Sequence, residues 1–340
     1  QGGAVLAVLC SSFCLLASFG IGNMRQVNSI SINMNSAFEI PAKVVGIVLA
    51  VLAALVIVGG LKRIASVTEK LVPFMAIIYI IGTLVIFIIN IGQCGAIFSA
   101  IFKGAFGLRA VGGGIVGSGI KLALTWGMKR GVFSNEAGLG SSVMVHSNSN
   151  VKEPVRQGMW GIFEVFADTI VVCTLTAFAV LSSDLVDLET GAVLSTSEGS
   201  ALVGEAFSTV FGKAGPAFIA LAILLFAFST VLGWSHYGSK AWEYLFNTKS
   251  TIIYKIVFIV MIYEGAVMKQ NLAWDLSDTF NGLMAIPNLI GVLSLSPIVV
   301  KITKNYVARN IKKEDVKPIL SVFPDIEEAH IKEMKEQQEI

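Results

Sequence analysis

The residues best suited to chemistry crowd into Gly127–Ser142, GMKRGVFSNEAGLGSS, where Gly127, Gly131, Gly138 and Gly140 surround Ser134, Asn135 and Glu136. The run lies between stretches apolar enough to cross a membrane. A regular spanning helix has no use for that mixture. Glycine costs about 1 kcal/mol against alanine in a helix interior, and a carboxylate at membrane depth costs about 3 kcal/mol on insertion scales. Irregular backbone survives in a bilayer only where it is buried in protein or lines a wet cavity. Gly131 to Gly140 therefore reads as a broken helix whose freed amides and carbonyls face a polar site, as in transporters generally. The alternative is a re-entrant loop or glycine-rich crossing that touches no ligand.

Two further groupings could hold ions or protons. FAFSTVLGW sets Ser229 and Thr230 side by side with Trp234 one turn further on. Paired hydroxyls are hard oxygen ligands suited to Na⁺ when backbone carbonyls complete the shell, although such hydroxyls commonly bond back to the i−4 carbonyl instead. Glu164 and Asp168 are spaced i, i+4 and share a helix face. Lys129 and Arg130 flank the break. A buried cation needs a partner, and Glu136, Glu164 and Asp168 are the candidates; an intracellular gate of Arg130 with Glu164 or Asp168 is the functional reading, snorkelling to an interface the plainer one. Gln26 is either an interfacial amide or a polar group turned into a central cavity. Asp275 and Asp278 read as solvated or structural.

Composition fixes what must position these groups. Of 340 residues, 54% are hydrophobic and 14% charged, and mean hydropathy is +0.75. That is an all-α integral membrane protein, several of its apolar runs approaching the ~20 residues a span requires. The net charge of +2 gives no case for nucleic acid, since the basic residues sit between helices and in the tail. Cys10, Cys14, Cys94 and Cys173 lie in or beside apolar runs and read as packing thiols. His146, His236 and His330 show no metal-ligand spacing, and no nucleophile, base or metal set assembles for a membrane enzyme. A channel would need a pore-lining stripe or charged ring, and neither is present.

Along the chain the expected spans are Gly3–Ile21, Lys43–Gly60, Val72–Ile91, Gly117 to about His146, Trp160–Leu181, Pro216 to about Tyr237, Thr251–Met268 and Trp274–Val300. The last, with Pro287 and Pro297, is either one kinked helix or two short ones. A glycine-rich amphipathic stretch from Gln93 to Val116 could lie on the membrane surface. Basic links at Lys62–Lys70, Lys152–Arg156 and Lys240–Lys249, and the run after Val300, all fall on one side if every span crosses once, which makes that side cytoplasmic. The acidic stretch 182–215 is then external. About eight crossings follow, with residues 1–303 as the transmembrane domain and 304–340 as a charged cytoplasmic tail containing an amphipathic helix over Asp325–Glu339. Residue 1 is Gln and apolar sequence starts at once, so the chain is expected to be a fragment lacking N-terminal helices.

Four motifs in order, GMKRGVFSNEAGLGSS, GIFEVFADTIVVCTLTA, FAFSTVLGWSHYGSKAWEYLF and NGLMAIPNLIGVL, together with FGIGNMRQVNSI near the start, resemble the alanine or glycine:cation symporter family, the sodium:alanine symporters. The resemblance runs from the first span to the tail. It implies a leucine-transporter-like inverted-repeat fold, here without its first two core helices, in a multi-pass cell-membrane protein that couples Na⁺, or alternatively H⁺, to alanine or glycine uptake. It implies no cofactor, Na⁺ serving as coupling ion, and as partners the amino acid, Na⁺ and the bilayer. On that template Phe133 to Gly138 is the unwound sixth helix. Its free amides, with Gly131, Ser134 and Asn135 beside them, and the positive end of a half-helix would meet the substrate carboxylate. Phe133 would wall the small side chain, Gln26 would hydrogen-bond the substrate and Trp234 would close the pocket. Ser229 and Thr230 match the hydroxyls of the sodium site.

Overall fold

The computed structural model describes residues 2–106 and 116–338. The chain opens on one continuous rod: α1 (Gly2–Phe19), a π-helical turn (Gly20–Met24) and α2 (Arg25–Phe38). It stops at Glu39, which takes the left-handed conformation with φ +57° ahead of Pro41. There follow α3 (Ala42–Ile57), α4 (Gly60–Ile89), α5 (Cys94–Ala105) and α6 (Val116–Asn135). After a one-turn α7 (Val143–His146), α8 (Pro154–Phe166) runs through a second π-helical turn (Ala167–Val172) into α9 (Cys173–Leu181). The chain closes with α10 (Ser200–Phe211), α11 (Ala214–Leu245), α12 (Thr251–Val267), α13 (Gln270–Tyr306) and α14 (Pro324–Gln338). Among the described residues the one extended pairing is an isolated bridge between Val186 and Val193.

Among the described residues, six helices are long and apolar enough to cross a membrane: Gly3–Phe38, Gly60–Ile89, Pro154–Leu181, Ala214–Leu245, Thr248–Val267 and Gln270–Ile311. Ala42–Ile57 and Ser200–Phe211 are apolar but shorter. The outer faces of the helices are apolar. Val44, Ile47, Val51 and Leu55 on α3 and Ile162, Phe163 and Phe166 on α8 are exposed, a surface whose solvent must be lipid. This is a multi-pass membrane protein.

Several boundaries differ from those expected. The first helix does not end at Ile21 but continues through the polar run to Phe38. Its asparagines find carbonyls on a neighbour: Asn23 Nδ2 donates to Phe258 O (2.7 Å) and Asn28 Nδ2 to Met268 O (2.7 Å) and Gly265 O (3.2 Å). The last span is one helix across both Pro287 and Pro297. Of the stretch Gln93 to Val116, α5 is described and residues 107–115 lie outside the described residues, as does Glu339 at the tail. The chain after α13 is no free extension. A π-helical turn (Val307–Ile311) leads into a segment that returns to α13, where Asn305 Nδ2 donates to Lys317 O (2.8 Å) and Leu320 is 2% exposed.

Three apolar clusters bind the helices. One joins α2, α3, α11 and α12 through Val27, Ile30, Leu49, Val231, Tyr254 and Phe258. Another joins α4, α9, α10 and α11 through Tyr79, Ala179, Phe207 and Ile219. The third, of Cys14, Ala17, Ile21, Leu139, Trp234 and Met284, draws α1, α11 and α13 around the segment between α6 and α7. It sets the position of the site.

Candidate functional site

The break sits slightly later than its glycine content predicts. Gly131, Phe133, Ser134 and Asn135 all remain in α6, so their amides stay within the helix. The chain leaves at Glu136 (φ +55°), and Gly138 (φ +88°) and Gly140 (φ +83°) are also left-handed. Asn135 starts the departure, its Oδ1 accepting from Ala137 N at 2.9 Å in a side-chain-closed turn that competes with the helix. The amides of Gly138, Gly140, Ser141 and Ser142 find no acceptor among the described residues. Beyond them α7 has four residues, too short for the half-helix dipole expected there.

Three neighbours hold this irregular segment. Glu136 Oε1 accepts from Trp234 Nε1 (2.7 Å) and its Oε2 from Ser141 Oγ (2.5 Å). Asn288 Nδ2 donates to Gly138 O (2.8 Å), and a Cβ on Gly140 would strike the Asn288 side chain. Leu139, 1% exposed, plugs into the third cluster. Trp234 itself rests on the first π-helical turn, where a Cβ on Gly22 would overlap the indole. A π-turn re-aims the residues around it, and here it lets α1 and α11 close on each other at the break.

On one side of the break lies a cationic and aromatic cluster. Arg130 Nη2 meets Asp278 Oδ2 at 2.6 Å, and Lys129 Nζ lies 3.6 Å from the same oxygen. The guanidinium groups of Arg25 and Arg130 lie 3.7 and 4.0 Å from the Trp274 ring centroid, and Phe133 packs against Trp274 at 5.1 Å between centroids. In this structure Arg130 pairs with Asp278, and not with the expected Glu164 or Asp168. The first turns of α13 bring Asp278 to Arg130, whereas the α8–α9 helix faces the other end of the break. There Ser134 Oγ donates to Asp168 Oδ2 (2.7 Å), Asn135 Nδ2 to Thr169 Oγ1 (2.9 Å), and Glu164 lies 3.3 Å from His146 Nε2. Asp168 lies in the π-turn Ala167–Val172 and Glu164 in α8 before it, and each has its own partner.

Ser229 Oγ donates to Phe226 O (2.8 Å) and Thr230 Oγ1 to the same carbonyl (3.0 Å), the back-bonded arrangement. Gln26 Nε2 donates to Ile21 O (3.1 Å) inside the first π-turn. Of the sequence-selected residues, then, Ser134, Asn135 and Trp234 meet at or beside the break with Glu136, while Phe133 and Arg130 join the aromatic cluster and Gln26, Ser229 and Thr230 hold local bonds. Sequence reasoning missed Arg25, Trp274 and Asn288. The signal for Asn288 was its place directly after Pro287 in a span; for Arg25, a cation amid buried asparagines.

The description sodium:alanine symporter family matches residues 2–320. The sodium/alanine symporter AgcS of Methanococcus maripaludis is 41% identical over 315 residues, covering 93% of this chain and 67% of that protein. The amino-acid carrier protein AlsT of Bacillus subtilis is 36% identical over 340 residues (99% and 69%). The probable sodium/glutamine symporter GlnT of the same organism is 36% identical over 330 residues (96% and 65%). The chain thus spans about two thirds of the length of these relatives. A family of transporters rather than enzymes accounts for a polar helix break, gripped by an indole and an asparagine, in the middle of a helical membrane protein, and this chain belongs to the sodium:alanine symporter family.

Proposed function

We propose that the protein containing this chain is a secondary transporter coupling Na⁺ to the uptake of a small neutral amino acid, alanine or glycine, across the cell membrane. The observation that carries it is the break at Glu136–Ser142, whose unbonded amides match a carboxylate ligand. Those of Gly138, Gly140, Ser141 and Ser142 would receive the substrate carboxylate. Trp234 and Phe133 would bound the side chain, and Gln26 would exchange its bond to Ile21 for one to the substrate. Relatives named for alanine and for glutamine share the family, which puts the choice of amino acid in those bounding residues. Na⁺ would take the Ser229 and Thr230 hydroxyls with Phe226 O, the carbonyl on which both converge.

The same reading gives the architecture. The six long helices with Ala42–Ile57 and the broken α6–α7 unit make eight crossings of a leucine-transporter-like inverted repeat. Residues 1–303 form the transport domain, and 304–340 lie on the cytoplasmic side. Arg130 with Asp278 then stands on the outer side of the break, Glu164 and Asp168 on the inner. One observation favours a proton-coupled alternative: Glu136 is a carboxylate at the break that pairs with neutral donors. Equilibrium binding of radiolabelled alanine to the natural purified protein decides. The sodium reading predicts an apparent affinity that rises with Na⁺ at constant pH. An affinity indifferent to Na⁺ and raised by acid would transfer the coupling to Glu136.

A further inference from the structure

An ion pair away from the break binds segments far apart in the chain. Arg309 Nη1 meets Glu153 Oε1 at 2.8 Å and Nη2 meets Oε2 at 3.1 Å. The side chains are 13% and 11% exposed. Bidentate geometry sets this apart from an ordinary surface pair. Arg309 belongs to the π-helical turn after α13 and is oriented by Asn305, whose Oδ1 accepts from Arg309 Nε (2.9 Å) and from Ile319 N of the returning tail (2.9 Å). Glu153 immediately precedes α8. Its chain neighbours Lys152 and Pro154 line a cavity of about 540 Å³ whose wall also includes His146, Gln157 and Ser142. Ser142 ends the break. The pair therefore stands one residue away from the wall of a cavity that reaches the end of the break.

We infer that Glu153–Arg309 is a latch on that cavity: it clasps the end of α13 and its returning tail against the start of α8, and its release widens the path from the break. The charges stay out of water only while these segments touch. Separation returns both to solvent, so loss of their attraction is largely offset by hydration, and the open state stays a minor but reachable one. That balance suits a reversible clasp. Neutralising one partner strands the other charge in a dry contact, and the segments relieve it by parting. The direction of the path, toward the cytoplasm, rests on the transporter reading; the clasp does not.

Accessibility of a thiol at Ser142 tests it. In the natural protein Ser142→Cys is labelled with a membrane-impermeant maleimide in inside-out vesicles, the signal of the parent protein being subtracted. Either Glu153→Gln or Arg309→Gln is expected to speed labelling roughly tenfold, a shift of one decade in the open population. The exchanged pair, Glu153→Arg with Arg309→Glu, is expected to return the rate to within roughly twofold of the starting protein. Arg309→Lys keeps the charge without the second hydrogen bond and falls between; it decides the matter if the neutral variants fail to fold. Equal rates in all variants overturn the latch. So does acceleration that the exchanged pair does not reverse. Labelling requires no substrate, so a protein that failed to transport alanine could still show the clasp.

Discussion

Glu136 receives the Trp234 indole and the Ser141 hydroxyl on separate oxygens, which makes one side chain the tie between helix break and scaffold. Glu136→Ala strands both donors and should cost about 1–3 kcal/mol. Glu136→Gln keeps one good acceptor and should cost less. Thermal unfolding in detergent should rank wild type above Glu136→Gln above Glu136→Ala; an alanine variant as stable as wild type would remove the tie. Glycines give a sharper comparison. Gly22→Ala forces a methyl into the Trp234 ring, an overpacking worth about 1–3 kcal/mol. Gly282 has open space around its Cβ position, and Gly282→Ala should be neutral or stabilising by up to about 1 kcal/mol. The same melting assay separates them, and alanine binding should fall with the first only.

At the scale of elements, the rod α1–α2 shows what hydropathy hides. GNMRQVNSISINMNS looks like a polar exit from the membrane, yet it stays helical because Asn23 and Asn28 lie against α12 and donate to its backbone carbonyls. Interhelical bonds of this type average about 0.6 kcal/mol and reach about 1.7. Asn28→Ala, losing two, should lower stability by about 1 kcal/mol, and no change in the melting midpoint would show the bonds to be idle. The spans themselves were legible because runs of aliphatic residues need no partner to be recognised. The break was legible from its glycines and Glu136, but its start was not. Gly131 tolerates a helix, and only the Asn135 turn and the left-handed Glu136 stop it. Nor could spacing pair Arg130 with Asp278, 148 positions apart. That contact depends on how α13 crosses α6, and the i, i+4 spacing of Glu164 and Asp168 carries no information on the partner each meets, His146 for one and Ser134 for the other.

The whole molecule presents an aliphatic surface around a small polar interior. Buried asparagines, serines, Arg25 and the break gather on the inner faces of α1, α2 and α11, while α3, α4 and α8 show Val, Ile, Leu and Phe outward. Such a body has one solvent in which it is stable, the bilayer, and among the described residues its helix break leaves the amides of Gly138, Gly140, Ser141 and Ser142 without acceptors. The tail returning through Asn305 and Leu320 ties the far end of α13 to the same assembly. The central claim is that this unfinished backbone binds an amino acid whose movement is coupled to Na⁺. Its most direct test is uptake of radiolabelled alanine into proteoliposomes holding the natural protein that contains these 340 residues, under an inward Na⁺ gradient and with Na⁺ replaced by choline. Saturable accumulation above the external concentration with Na⁺, lost in choline and lost with Trp234→Ala, is the result predicted. Flux that rises linearly with alanine and is indifferent to the cation would contradict it.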